Sequence, residues 1–406
     1  MTMAAYRILI ANHVVKIAGA EQALLRFLDE IDRDLFEPAL ACPEEGPLAD
    51  EMRRRGMACF TGFPAPRLQN IRRKSLGRNP LTVAAYPWDL YLTVSRLARL
   101  IREEGFDLVL TNSAKADIYG SMAGRLAGRP VVWRIHDQVD REAFSRLNVW
   151  LLKNCARYLA DKVIAPSPAV MEALAALGVP EGKLRVVYYG IDFEKMRPTR
   201  SRSEVRAELG VGEDSPLAGF VGRLVDWKGP DYFIRAAALV ARQVPEARFL
   251  VVGEAMFGEK GFEEGLKALV RELGLEDKVI FTGHRDDIPE IMCALDVMVH
   301  ASVLPDPLPN VIIEAMASGL PVVAAAGGGI PVMVEEGVTG FIVPPRDYQG
   351  MAGAMKELLV DREKASRMGK AGEERARRLF DKDRNARLLE QELLAVLERK
   401  GAEGRR

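Results

Sequence analysis

The chain has 406 residues, 48% hydrophobic and 28% charged: too long for one core, and balanced like an ordinary soluble globular protein of two or three domains. Lys+Arg and Asp+Glu number 57 each, so no net charge draws the whole molecule to nucleic acid. The first 200 residues carry 29 Lys+Arg against 23 Asp+Glu and the remainder 28 against 34, about +6 and −6; this reads as one half facing an anionic partner, or as sampling.

The N-terminal "MTMAAYRILIANHVV" lacks a basic stretch followed by a long apolar core, so no signal peptide is expected. "YRILIANHV" is a short apolar run, and "AGAEQALLRFLDEI" after it repeats Ala20, Leu24, Leu25, Leu28 and Ile31 at helical spacing. "FDLVLTNS", "RPVVWRIHD", "DKVIAPS" and "KLRVVYYG" read as buried strands, with amphipathic helices such as "DLYLTVSRLARLIREEG" and "KADIYGSMAGRLAG" between them. That alternation predicts a parallel sheet covered on both faces. The pattern lapses into the charged "EKMRPTRSRSEVRAELG" and then restarts with "SPLAGFVGRL", "EARFLVVGE", "KVIFTGH" and "LDVMVHAS". Two doubly wound α/β domains are expected, over 1–197 and 198–380, with a charged helical tail over 381–406 that packs back on the first. Cys42, Cys59, Cys155 and Cys293 form no C-x-x-C pair, which predicts reduced thiols in a cytoplasmic protein. Ala315 to Val334 carries no charge, but Gly319, Pro321, Gly327, Gly328, Gly329 and Pro331 break it into helix, turn, strand and glycine loop rather than a membrane span.

Ligands of open parallel sheets sit beyond the carboxyl ends of the strands, so residues just after strands carry most weight. Gly19 precedes a helix, where glycine lets a phosphate approach the free N–H groups or simply makes a turn. His136 and Asp137 end a strand, as do His13 and His300; a histidine there binds a sugar hydroxyl or is a satisfied loop residue. "FVGRLVDWKGP" places Arg223 and Lys228, flanked by Gly222 and Gly229, where a diphosphate leaving group needs cations. The triple glycine of "AAAGGGIPVM" reads as a phosphate or sugar cradle, or as a turn. No G-x-G-x-x-G, Walker or metal-ligand pattern is present, so neither a cofactor nor a metal is expected. "DPLPNVIIEAMASG" holds Asp306 in a loop and Glu314 one turn into a helix with Asn310 as N-cap and Gly319 as stop. Two acids flanking a helix N-terminus suit a ligand with two sugars on a diphosphate: a nucleotide sugar.

In order along the chain, "VGRLVDWKG", "FLVVGE", "VIFTGHRDDIPEIM", "DPLPNVIIEAMASGLPVVA" and "GGIPVMVEEGVTGFIVP" resemble the retaining nucleotide-sugar glycosyltransferases of family 4, which have the GT-B fold. The first half resembles them more loosely through "AGAEQALL", "RIHD", "APSPAV" and "VVYYGID". The resemblance implies two Rossmann-like domains facing a central cleft. It implies that Glu314 holds the ribose hydroxyls, Asp306 and His136 meet the donor sugar, and Arg223 and Lys228 neutralise the diphosphate. Gly19 would give the phosphates room; Gly222, Asn310 and Val311 would join the donor site; the base would lie near Gly253, His284 and Arg285. The implied reaction is metal-independent transfer of a hexose from a UDP- or GDP-sugar to a glycan or lipid-linked acceptor in cell-surface glycan synthesis, by front-side attack. Three departures concern the family pattern: Asp306 stands where Glu is usual, Val332 where an acid often follows Gly-x-Pro, and Tyr189 where Asn is common. The first two leave the sugar's identity open.

The basic "RLQNIRRKSLGRNP", with Arg67, Arg72, Arg73, Lys74 and Arg78, reads as a contact for anionic lipid or as a solvated loop. Two other functions share the fold: a nucleotide-sugar epimerase, disfavoured by the order of the cations and two acids, and a non-catalytic nucleotide-sugar binder.

Overall fold

The computed structural model describes residues 5–64, 68, 80–139, 144–255 and 260–403. The basic segment 67–78 falls outside them, apart from Leu68. The chain forms two compact units. One runs to Gly190 and resumes at Lys382; the other is Ile191–Asp381.

The first unit holds a seven-stranded parallel sheet: β1 Tyr6–Ala11, β2 Phe36–Cys42, β3 Ala58–Thr61, β4 Leu108–Thr111, β5 Val131–Arg134, β6 Lys162–Ala165 and β7 Leu184–Val186, in the order β3-β2-β1-β4-β5-β6-β7. Successive residues of a strand point to opposite faces. Ile8, Ile10, Leu108 and Leu110 therefore join one apolar layer, and Leu9, Ala11 and Val109 the other. Both faces are buried, which is why these strands read as continuous apolar runs. The helix Ala114–Leu126 lies tight on the sheet: a Cβ on Gly120 would come within 2.7 Å of Thr111, and one on Gly124 within 2.5 Å of Val131.

The second unit repeats the plan with six parallel strands: β8 Leu217–Val221, β9 Arg248–Val252, β10 Val279–Gly283, β11 Val297–His300, β12 Val322–Ala325 and β13 Gly340–Val343, in the order β10-β9-β8-β11-β12-β13. Its strands are likewise buried, with Phe220, Phe233 and Phe249 at the centre of the core.

The chain leaves the first unit earlier than the expected boundary at 197, and rejoins it at 382 rather than 381. The polar stretch after Gly190 is already tied to the second unit, since Ile191 donates its N–H to the Phe380 carbonyl and bridges Asp381. The helix Lys382–Glu403 belongs to the first unit. It buries Ala386, Leu389, Leu393 and Val396 beside the helix Gly19–Glu30, and Lys382 pairs with Glu30 at 2.7 Å. All four cysteines are free thiols. Among the described residues no helix is long and apolar enough to cross a membrane.

Candidate active site

In the second unit the strand order reverses between β8 and β11, and a crevice opens at such a reversal beyond the carboxyl ends. Gly222 and Arg223 follow β8, and a single turn over Asp226–Lys228 ends at Gly229 with left-handed backbone, φ +68°. A Cβ on Gly229 would stand 2.1 Å from the Ala301 carbonyl oxygen. Val303, beyond β11, donates its N–H to the Trp227 carbonyl at 2.9 Å. The two loops flanking the reversal are thereby clamped together.

Trp227 carries both expected cations. The Arg223 guanidinium carbon lies 5.6 Å from its ring centroid and the Lys228 ammonium 4.5 Å, within cation–π range. Lys228 also donates to Asp306 Oδ2, and His300 Nε2 lies 3.2 Å from the same oxygen. A carboxylate only accepts, so Nε2 of His300 carries the proton and Nδ1 is bare; Nδ1 is buried without a hydrogen-bond partner among the described residues. Ser302 Oγ lies 3.2 Å from Nε2. Burial alone pushes the Asp306 carboxyl up, but the Lys228 charge and the His300 bond outweigh it and hold Asp306 well below the usual carboxylate range. Burial likewise pushes His300 down, keeping it neutral. Asp306, expected at the donor sugar, is thus also the counter-ion of Lys228, expected at the diphosphate.

The helix Asn310–Ala317 begins at Asn310 with Pro309 as its N-cap, one residue earlier than expected. Asn310 and Val311 therefore form its first turn. At the other end Leu320 N–H bonds the Ala315 carbonyl and Gly319 N–H the Met316 carbonyl, with Gly319 at φ +70°; this is the glycine stop the sequence signals. Glu314 sits in the second turn, 8% exposed. The three glycines have a purpose the sequence reading did not include. Gly329 donates its N–H to the Asp306 carbonyl at 2.8 Å, and a Cβ on Gly328 would lie 2.0 Å from that oxygen. The glycine loop holds the Asp306 loop by close backbone approach.

Gly253 follows β9 and donates its N–H to the Gly283 carbonyl at 2.8 Å; a Cβ there would lie 2.0 Å from the Gly222 carbonyl oxygen. His284 is exposed and lies 3.1 Å from Asp286. Arg285, expected beside the base, has its guanidinium tied to Asp287 at 2.7 and 2.5 Å and to Glu208 at 2.6 Å, bonds that raise its pKa further.

In the first unit His136 follows β5. Its Nε2 lies 2.9 Å from Asn112 Oδ1 and its Nδ1 2.7 Å from the Tyr189 hydroxyl. Arg134 also donates to that Asn112 oxygen, at 3.4 Å, which fixes it as the acceptor. Nε2 of His136 is then the donor and Nδ1 accepts from Tyr189. Burial, then the Arg134 charge, push His136 well below the ordinary histidine value, so the ring is neutral. Arg134 is itself buried, which pushes it down to about 10. A sugar hydroxyl reaches either ring nitrogen of His136 only in exchange for one of these bonds. Gly19 opens the helix Gly19–Glu30 after β1. Glu21, two residues on, is buried and accepts from the Ala18 N–H and from Asn12 Nδ2, both at 3.2 Å. An anion arriving at Gly19 shares the helix N-terminus with that carboxyl, whose pKa burial raises.

The structure thus gathers Arg223, Lys228 and Asp306 at one reversal point, adds Trp227 and Ser302, which sequence reasoning missed, and brings in His300, which the sequence offered only as one of several strand-end histidines. In the first unit it adds Asn112, Arg134 and Tyr189 around His136. Strand-end position was the available signal for His300 and Asn112; nothing local marks Trp227.

The family model of glycosyl transferases group 1 matches residues 201–375, and that of glycosyltransferase family 4 matches residues 17–195. The UDP-Gal:alpha-D-GlcNAc-diphosphoundecaprenol alpha-1,3-galactosyltransferase of Escherichia coli is 27% identical over 355 residues, covering 85% of this chain and 86% of that enzyme. The sulfoquinovosyl transferase of Arabidopsis thaliana is 31% identical over 371 residues; the match covers 87% of this chain but only 65% of that protein. The crystal structure of Anabaena HepE in complex with UDP superposes with a TM-score of 0.82 at 30% identity, covering 96% of this chain and all of the other. With UDP and glucose bound, HepE gives a TM-score of 0.84 at 29% identity over the same share of this chain. The chain belongs to the family 4 glycosyltransferases of GT-B fold, the glycosyl transferases group 1.

Proposed function

We propose that the protein moves a hexose from a UDP-sugar to a glycan or lipid-linked acceptor, with retained anomeric configuration and without a metal ion, in cell-surface glycan or glycolipid assembly at the cytoplasmic face of the membrane. The observation that carries this reading is the gathering of Arg223 and Lys228 on Trp227, at the strand reversal that also bears Asp306 and the N-terminus of the Asn310–Ala317 helix. Two cations and a helix N-terminus suit a diphosphate. Crystallised HepE with UDP supports uridine as the base, and the E. coli relative's diphosphoundecaprenol substrate supports a lipid-linked acceptor.

In the reaction the acceptor hydroxyl oxygen forms a bond to the anomeric carbon on the face from which the diphosphate departs. The bond from that carbon to the β-phosphate oxygen breaks, and a phosphate oxygen takes the acceptor's proton. Arg223 and Lys228 stabilise the charge growing on the leaving group, and such preorganised stabilisation is usually the largest catalytic term. They also supply the positive charge a metal would otherwise bring. Glu314 is assigned to the ribose hydroxyls, and Asp306, one methylene shorter than Glu, to positioning Lys228 and reaching the sugar.

A thermal-shift screen of UDP, GDP, ADP and their sugar conjugates tests the donor. A ligand bound only by the folded state raises its melting temperature. UDP and one UDP-sugar are expected to raise it most, and Lys228→Ala to abolish the shift. No shift with any nucleotide sinks the reading. Proton NMR of the first-formed product then decides retention.

A further inference from the structure

Arg134, the last residue of β5, is 6% exposed. It lies two residues beyond Val132 and so on the same face of the sheet. There it meets the helix Gly19–Glu30 and donates to the Ala23 carbonyl at 2.8 Å. Its other acceptor is Asn112 Oδ1 at 3.4 Å, and the Phe27 and Tyr189 ring centroids lie 5.7 and 5.8 Å from its guanidinium carbon. Every one of these partners is neutral. Among the described residues no carboxylate pairs with Arg134, and only two of its five N–H groups are used. A buried cation is costly unless a counter-charge answers it.

Arg134 also lines a small cavity, of about 20 Å3. Arg26, on the helix Gly19–Glu30, and Lys382, at the start of the helix Lys382–Glu403, line it too. Lys382 has Glu30 as counter-ion, 2.7 Å away, but no carboxylate stands among the described residues of the cavity wall. The opposite side is aliphatic, with Ile164, Ala386 and Leu389. Ala386 and Leu389 belong to the first two turns of the helix Lys382–Glu403, so the cavity runs beside the positive end of that helix dipole. The space is small, cationic on one side and free of acid.

We propose that this cavity binds one monatomic anion of the chloride class, as the counter-ion of Arg134, with Arg26 and Lys382 adding to the attraction. Size and charge together select the occupant. The volume admits about one water-sized sphere, so a phosphate with its four oxygens is too large. Water fits but leaves the Arg134 charge unanswered. Glycosyl transfer itself uses no such ion. The anion stands behind the candidate site, joined to His136 through Arg134 and Asn112.

Thermal melts of the full chain test this, with potassium chloride exchanged against potassium gluconate at constant ionic strength, since gluconate is too large to enter. The melting temperature is expected to rise by about 3 °C and then to level off as the site fills. Bromide should act as chloride does. Ala386→Val fills the cavity while keeping every charge and should abolish the rise. Arg134→Met should abolish it as well, and Ala386→Val decides alone if Arg134→Met fails to fold. Crystals grown in sodium bromide give the direct readout: one anomalous peak is expected in the cavity, within hydrogen-bonding reach of the Arg134 guanidinium. A melting temperature that is flat or falls with chloride overturns the proposal. A chloride-dependent rise that survives in Ala386→Val overturns it too, and so does cavity density without an anomalous signal, which is water. None of these measurements includes a nucleotide, so their failure leaves the donor assignment standing.

Discussion

Lys228 and Asp306, 78 residues apart, form an ion pair in which the ammonium donates to Oδ2, with side chains 17% and 10% exposed. A pair this buried contributes little net stability, yet losing one partner strands the other charge. Lys228→Met should therefore destabilise the protein by about 3 kcal/mol, while Lys228→Met with Asp306→Leu recovers most of that. Urea unfolding of the two singles and the double measures the coupling; additive losses would show that the pair does not act as a unit. Turnover should behave differently. Lys228→Ala is expected to lose about a hundredfold or more in turnover, by analogy with a missing oxyanion donor. The stability-rescuing double should stay as inactive as the single.

The Asp306 loop has its position from glycine. A Cβ on Gly328 would sit 2.0 Å from the Asp306 carbonyl oxygen, and φ there is +57°. Gly328→Ala should cost about 1–3 kcal/mol through strain and should weaken UDP-sugar binding by shifting Asp306. Gly353→Ala, inside the helix Tyr348–Val360 with nothing within 4 Å, is the control and should stabilise by about 0.5–1 kcal/mol. Thermal melts with and without UDP-sugar check both; an unaltered donor shift in Gly328→Ala would free the glycine loop from any part in the site.

How far the sequence revealed this arrangement depended on whether the cause was local. β1, β4, β8 and β11 were legible because burial on both faces leaves unbroken apolar runs. β2 and β3 were not. β2 contains Pro38, which argues against a strand, and β3 is a four-residue edge strand with no buried position. The stop at Gly319 was visible because its left-handed residue follows the helix directly. The purpose of Gly327, Gly328 and Gly329 was hidden, since their neighbours lie some 20 residues upstream. Arg285 shows the converse: its place after β10 was visible, but its partner Glu208 is 77 residues away. The long-range partners of His136 stayed hidden for the same reason.

Tyr189 stands where the family commonly has Asn, and its hydroxyl is 2.7 Å from Nδ1 of His136. That bond uses the unprotonated nitrogen, so it favours the neutral ring. Tyr189→Phe should raise the His136 pKa, though still below the ordinary value because burial and Arg134 remain. It should cost about fivefold in kcat/KM, the worth of one neutral hydrogen bond. An NMR titration of the His136 ring reads the first effect directly; a downward move would reverse the assigned tautomer.

Asp117 supplies a pH-dependent test of the first unit. It is fully buried, Thr111 donates to its Oδ1 at 2.5 Å, and its Oδ2 has no hydrogen-bond partner among the described residues. Burial pushes its pKa well above the carboxylate range, and the Thr111 bond pulls back only part of the way. The folded state thus keeps this proton while the unfolded chain releases it near pH 3.8. Above that pH the native state binds more protons, so the contribution of Asp117 to stability falls as pH rises, until the folded value is reached. Asn is nearly isosteric, keeps the acceptor for Thr111 and has no proton to lose. Asp117→Asn should gain on the wild type by up to about 1.4 kcal/mol per pH unit within that window. Denaturation at pH 4.5, 6 and 8 checks the sign: a gap that stays flat from pH 4.5 to pH 8 would mean that Asp117 is ionised in the native state.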